Sequence, residues 1–112
     1  IKATNDSRDE MKIISCQILA YISSPDAQRA IADLALNESN PIEIRISGFE
    51  SLTTSAKVNG NLLLDSQIDQ IYKIVESRDT NKDIRSTAAE AFGALNLPSR
   101  RVKDLILNQS QI

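Results

Sequence analysis

Residues 83–95 read DIRSTAAEAFGAL, the most informative stretch in the chain. Ile84, Phe92 and Leu95 recur at the spacing of one helix face, with alanines and a glycine between them. A small side chain such as Ala88 on that face lets a neighbouring helix approach closely, and alanine is also the best helix former. The stretch therefore predicts a helix that packs tightly against more than one neighbour.

Composition extends this prediction to the whole chain. Its 112 residues fit one domain, and 41% of them are apolar. The chain contains two Tyr, two Phe and no Trp, so the core must be largely aliphatic. Three Gly and three Pro are too few for the frequent turns of a β-sandwich or a barrel. The composition therefore favours helices joined by short connections.

Scarce residue types exclude several kinds of chemistry. A net charge of −2 provides no basic excess for nucleic acid. The single cysteine, Cys16, excludes a disulfide within the chain and a zinc cluster of thiolates, and its apolar face predicts a core position. Histidine is absent, which excludes Ser-His-Asp and Cys-His nucleophilic systems. We therefore expect no cofactor, no metal and no enzyme activity.

Apolar spacing predicts six helices in one domain, residues 1–112. The predicted ranges are 7–22, 24–36, 41–57, 65–77, 82–96 and 98–108. The stripe of the first helix consists of Met11, Ile14, Ile18, Tyr21 and Ile22. No apolar run approaches the length of a membrane span, and the six segments favour a bundle or a solenoid within a longer protein.

Internal repetition favours the solenoid. EIRISGFESL, residues 43–52, aligns with DIRSTAAEAF, residues 83–92, so that Gly48 falls on Ala88. EMKIISCQIL, residues 10–19, aligns more loosely. The copies are separated by 33 and 40 residues, which is the range of helical repeat arrays. Because glycine weakens a helix interior by about 1 kcal/mol, Gly48 is expected to have a packing role.

The stretch 83–95 resembles the second helix of a HEAT repeat of the PBS-lyase HEAT-like kind, within the armadillo-type α-solenoids. The matching residues are Ile84, Arg85, Ala88, Ala89, Ala91, Phe92, Gly93 and Leu95. The resemblance implies an all-α, right-handed α-α superhelix of about three stacked helical hairpins. Helices 7–22, 41–57 and 82–96 would then line the concave side. It also implies a structural ladder that involves Asp79 and Arg85.

The resemblance is specific for fold, and solenoids act by presenting extended surfaces. We therefore expect a non-catalytic scaffold that binds another protein or further repeats of the same parent chain, and neither a membrane nor nucleic acid. The compartment is unknown from the sequence, with the cytoplasm favoured. The candidate partner-binding residues are Glu43, Ser47, Glu50, Thr54, Ser86 and Glu90. The alternative is an accessory or regulatory domain of a larger enzyme, for which Glu50 and Glu90 are the carboxylate pair. Nucleic-acid binding is disfavoured by the acidic candidates.

Overall fold

A computed structural model describes residues 2–110 of the chain, with side chains from Arg8 to Leu107. The described residues form six α-helices and no strand, which confirms the all-α fold class. The helices are α1 (Lys2–Leu19), α2 (Pro25–Leu36), α3 (Ile42–Asn59), α4 (Asp65–Glu76), α5 (Lys82–Ala94) and α6 (Ser99–Ser110). No helix in this part of the chain is long and apolar enough to cross a membrane.

The first helix differs most from its predicted range of 7–22. It begins at Lys2 and ends at Leu19. It ends there because the next turn tightens through bonds from Tyr21 N–H to the Ile18 carbonyl and from Ile22 N–H to the Leu19 carbonyl. Such bonds to the third preceding residue commonly close a helix. The other five helices begin and end within two residues of their predicted bounds.

The helices form two layers. In one layer α3 contacts α1 on one side and α5 on the other, and in the second layer α4 contacts both α2 and α6. Across the layers, α2 packs on α3 and α4 packs on α5, so the chain contains two helical hairpins. The molecule measures 46 × 33 × 18 Å, and its smallest dimension matches two helices in depth.

The core lies between the layers and is mainly aliphatic, as the composition predicts. Ile31 of α2, Leu52 of α3, Ile71 of α4 and Ile84 of α5 are all fully or almost fully buried. The small residues expected on buried faces are buried too, among them Ala88. Close approach of helices through small side chains therefore operates in α5 as the sequence predicts.

The apolar stripe of α1 faces solvent. Met11, Ile14 and Ile18 are exposed, whereas the core side of α1 carries Cys16 and Ala20. Apolar spacing identifies a face of a helix without identifying what covers it. Here α2 and α3 pack on the opposite side of α1, so the largest apolar side chains of this helix remain uncovered.

Candidate protein-interaction surface

The layer of α1, α3 and α5 has an outward side that we call the outer face. On α3, Glu43, Ser47, Glu50 and Thr54 follow one another at intervals of three or four residues, so they share one side of the helix. The opposite side of α3 is buried by α2 and α5. Four of the six sequence-predicted site residues therefore lie on the outer face of α3.

A cleft of about 390 Å³ lies on this face between α1 and α3. Its lining residues are Gln17, Ala20, Tyr21, Ser47, Glu50, Ser51 and Thr54. Ala20 and Ser51 are small and buried at the contact between the two helices, which leaves room above them. The rim carries one carboxylate, at Glu50, and one aromatic ring, at Tyr21.

The structure brings three of the predicted residues into this cleft and leaves three outside it. Glu43 precedes the cleft on α3, and Ser86 and Glu90 lie exposed on α5, beyond the far side of α3. Glu50 and Glu90 are both exposed to solvent. Thr54 donates its hydroxyl to the Glu50 carbonyl at 3.3 Å, which fixes its side chain against the helix.

The two arginines of the repeats bind backbone carbonyls. Arg45 is buried and its Nε donates to the Ala35 carbonyl at 2.9 Å, at the end of α2. Arg85 Nη1 donates to the Ser77 carbonyl at 3.3 Å, directly after α4. Each arginine therefore satisfies a carbonyl that the end of the preceding helix leaves without an intrahelical partner.

The structural ladder that involves Asp79 and Arg85 stays a prediction. Within residues 2–110 no ion pair joins Asp79 to Arg85. The Arg85 guanidinium is directed toward Ser77, and Asp79 lies exposed in the turn before α5.

Polar side chains that the sequence analysis did not single out hold the two hairpins together. Gln28 of α2 is fully buried, and its Nε2 donates to Ser55 Oγ at 3.0 Å and to the Gly60 carbonyl at 2.9 Å. Its Oε1 accepts from Leu62 N–H at 2.7 Å. Arg29 Nε donates to the Leu62 carbonyl at 2.9 Å. The extended segment 60–64 between α3 and α4 is thereby bound to α2.

Gln67 connects the second-layer helices in the same way. Its Nε2 donates to Asp33 Oδ1 at 2.8 Å and to the Arg29 carbonyl at 3.1 Å, both in α2. Its Oε1 accepts from Leu64 N–H at 3.1 Å. A buried glutamine that joins two helices is hard to recognise in a sequence, because glutamine is mostly a surface residue.

Arg101 of α6 makes the corresponding contact with α4. Its Nη2 lies 3.3 Å from Asp65 Oδ1 and 3.6 Å from Asp69 Oδ1. The interaction of Arg101 with the two aspartates is ionic, since its Nη2 forms no aligned hydrogen bond to a described residue. Arg101 is thus directed toward acidic side chains of the same chain.

Among the residues with described side chains, two groups have shifted pKa values, and neither lies in the cleft. Burial raises the pKa of the Cys16 thiol, which is in the core as the sequence predicts. Burial also raises the pKa of Tyr72, and the nearby Glu76 carboxylate adds to this shift while accepting the Tyr72 hydroxyl at 3.2 Å. Among residues with described positions, no three acidic or cysteine side chains are grouped to hold a metal ion.

Comparison of the chain with family models, with curated proteins and with solved structures gave no match.

Proposed function

We propose that this chain is a non-catalytic scaffold that binds another protein through the outer face. The observation that carries the proposal is the cleft between α1 and α3, where Ser47, Glu50 and Thr54 lie beside Tyr21. Aromatic rings with a polar tip are favoured in protein interfaces, and hydroxyls and carboxylates can orient a bound partner through hydrogen bonds. A cleft of this composition suits a segment of a partner protein.

The architecture that we propose is a HEAT-like α-solenoid of about three hairpins in a right-handed superhelix. Two observations support it. Each described helix contacts only helices that are adjacent or one apart in the chain, and the sequences of α1, α3 and α5 align as repeats. Arg45 and Arg85, which coincide in the repeat alignment, each donate to a backbone carbonyl at or just after the end of the preceding helix, which also supports it. In such arrays one helical layer forms an extended binding surface.

Charge favours a basic partner segment. Glu43, Glu50 and Glu90 are exposed on the outer face, together with Lys57. A negative surface attracts a lysine- or arginine-rich segment and repels the phosphates of nucleic acid. We therefore propose a partner protein that places a basic side chain near Glu50.

A binding role also agrees with the exposure of Glu50 and Glu90 and with the burial of the Cys16 thiol. A general acid with a raised pKa requires a carboxyl in an apolar pocket, whereas Glu50 and Glu90 are exposed. A reactive cysteine requires a stabilised thiolate, whereas burial raises the pKa of Cys16.

Affinity capture with charge-reversed baits tests the proposal. The parent chain, Glu50→Lys and a control, Glu38→Lys, are immobilised and exposed to the same lysate. Glu38 is an exposed glutamate in the turn between α2 and α3, away from the cleft. We expect a protein that binds the parent and the control, that loses at least tenfold in affinity with Glu50→Lys, and whose binding weakens with salt. Equal binding to all three baits would contradict the cleft assignment.

A further inference from the structure

A groove separate from the cleft lies between the turn that follows α2 and the helix α4. It encloses about 550 Å³ and is lined by Leu36, Asn37, Glu38, Ser39, Arg45, Gln70, Lys73 and Ile74. None of these residues lines the cleft between α1 and α3. All of them except Leu36 and Ile74 are polar or charged, so the groove is suited to a polar ligand.

Arg45 is a buried cation that has no counter-charge. The residue is 8% exposed, and within residues 8–107 no ion pair involves it. Its Nε donates to the Ala35 carbonyl at 2.9 Å, which is the one hydrogen bond of this side chain in the described part of the fold. Because a buried charge is costly unless it is paired, the Arg45 guanidinium lacks the anion that its burial favours.

The outer nitrogens of Arg45 remain available to a ligand. The bond from Nε to Ala35 holds the guanidinium at the last turn of α2, where the helix dipole favours a cation. Nη1 and Nη2 have no hydrogen-bond partner among the described residues, and unlike Arg101 Nη2 they are accessible to solvent. These two nitrogens form the planar fork with which arginine binds an oxyanion through two parallel hydrogen bonds.

The neighbouring repeat does not offer the same arginine. The alignment of residues 43–52 with 83–92 places Arg45 on Arg85, and it places Ser39 on Asp79 in the preceding turn. Arg85 already uses its Nη1 on the Ser77 carbonyl, at 3.3 Å. The middle repeat therefore combines a free guanidinium fork with a serine where the next repeat has an acid.

Other side chains of the groove add charge and hydrogen-bond donors. Lys73 of α4 provides a second cation, and Gln70 lies one helical turn before it. Asn37 accepts the Ser39 N–H on its Oδ1 at 2.9 Å, which leaves the amide Nδ2 as a donor. Glu38 is the one carboxylate among the lining residues, and it is exposed. The lining therefore carries more positive than negative charge.

We propose that this groove binds a phosphate monoester, held by Arg45 Nη1 and Nη2 and by Lys73. A phosphate monoester carries a charge of about −1.5 to −2 and three acceptor oxygens. Two cations and the amide donors match that charge and that number of oxygens, whereas a carboxylate has one charge and two oxygens. Leu36 and Ile74 would contact the group that carries the phosphate.

The phosphate could belong to a phosphorylated side chain of a partner protein or to a free small molecule, since both present the same chemistry. The groove shares no residue with the cleft, so this proposal and the proposed scaffold function stand or fall separately.

A titration followed by nuclear magnetic resonance tests the site on the full chain. The probes are inorganic phosphate, a phosphoserine peptide, its unphosphorylated counterpart and acetate. We expect saturable shifts of the Arg45 Nε–H signal and of the backbone amides of residues 37–39 with both phosphate probes. Acetate should bind at least tenfold more weakly, and the unphosphorylated peptide should not bind. Absence of saturable shifts at these signals, or equal affinity for acetate, would overturn the proposal.

The affinities of the two phosphate probes identify the source. Binding of the phosphoserine peptide at least tenfold tighter than inorganic phosphate supports a phosphorylated partner protein, because the rest of the peptide then contributes contacts. Equal affinities support a free phosphorylated molecule. Both results require the same groove.

Charge variants separate this groove from general attraction of anions. Lys73→Gln should weaken phosphate binding about fivefold or more, and Glu38→Gln should strengthen it, because each changes the charge beside the ligand. Both residues are exposed, so the fold should be kept. The matched control is Lys103→Gln, at an exposed lysine of α6 outside the groove. Equal weakening by Lys73→Gln and Lys103→Gln would overturn the proposal.

Arg45→Lys tests the fork itself. Lysine keeps the charge and a donor for the Ala35 carbonyl but cannot form two parallel bonds to an oxyanion, so binding should weaken at least tenfold. A circular dichroism spectrum equal to that of the parent shows that the helices are kept, and the Lys73→Gln result decides the matter if they are not. Unchanged phosphate affinity in a folded Arg45→Lys would also contradict the site.

Discussion

A methyl group added at Gly48 would lie 2.9 Å from the Cβ of Ala35 and 3.2 Å from its Cα. Real Cβ atoms essentially never lie as close as the first distance, so α2 and α3 touch at this point because position 48 has no side chain. The packing role expected for Gly48 is confirmed.

Replacement of Gly48 by alanine should therefore destabilise the fold. Alanine improves helix propensity by about 1 kcal/mol, but overpacking against the α2 backbone costs about 1–3 kcal/mol. We expect a net loss of about 1 kcal/mol in the free energy of unfolding, measured by urea denaturation. The matched control is Gly93→Ala in α5, where an added Cβ meets no atom within 4 Å. That variant should gain up to about 1 kcal/mol, and a gain at both positions would contradict the close contact.

Gln28 should be the most sensitive polar residue of the fold. Gln28→Leu keeps a similar volume but leaves the Leu62 N–H and the Gly60 carbonyl without their partner. Unsatisfied groups cost about 1–3 kcal/mol, so we expect a loss of about 2–3 kcal/mol in thermal or urea unfolding. Gln70→Leu, at an exposed site on α4, is the control and should change stability by less than about 0.5 kcal/mol. Similar losses in both variants would argue against the buried network.

The bond of Arg85 to the Ser77 carbonyl and the exposure of Asp79 lead to different expectations for substitutions at these two residues. Arg85→Ala removes the donor to the Ser77 carbonyl and should lower the free energy of unfolding by about 1 kcal/mol. Asp79→Ala removes an exposed side chain with no ion pair to Arg85 and should change it by less than about 0.5 kcal/mol. Equal losses, with a double variant no worse than either single one, would show that Asp79 and Arg85 act together, as the predicted ladder requires.

Tyr72 should make the fold sensitive to alkali. Burial first, and then Glu76, raise the pKa of Tyr72, so the folded state holds the phenolic proton more tightly than the unfolded state. The resulting stability is fully present below about pH 10, the ordinary tyrosine pKa, and is lost as pH rises through the higher folded-state pKa. Stability should therefore fall above about pH 10.

The comparison of two phenylalanine variants isolates this effect. Tyr72→Phe should flatten the alkaline fall in unfolding free energy, while some decline remains because burial also raises the pKa of Cys16. Tyr21→Phe removes an exposed hydroxyl and should keep the parent profile. The same alkaline slope in both variants would show that Tyr72 does not contribute.

The sequence predicts the helices because their signals are local. Pro25 at the start of α2 and the cap at Asn81, whose Oδ1 accepts from Asp83 N–H and Ile84 N–H, act within a few residues. Burial of Cys16 follows from the side of the helix it occupies. The roles of Gln28 and Gln67 were not predictable in this way, because the partners that join each of them to another part of the fold lie 27 to 38 residues away in sequence.

The sequence allowed the candidate site to be predicted only as a set of residues on the solvent-facing sides of α3 and α5. The repeat spacing places Ser47, Glu50 and Thr54 on one side of α3, and it places Ser86 and Glu90 at the same side of α5. The separation of these two groups depends on how α1 and α5 sit beside α3. Tyr21 belongs to the apolar stripe from which a core face was predicted, but it follows the end of α1 at Leu19 and lies exposed at the cleft.

The neighbour-only contacts between helices have a kinetic consequence. Every helix pair in contact is separated by at most one other helix along the described chain, so the contact order is low and folding is expected on the microsecond-to-millisecond scale. Folding of this kind can nucleate in either hairpin and spread to the other. Under a stretching force applied to its ends, the chain would come apart one hairpin at a time, and both the α3–α5 packing and the bonds of segment 60–64 to α2 would oppose the separation of the two hairpins.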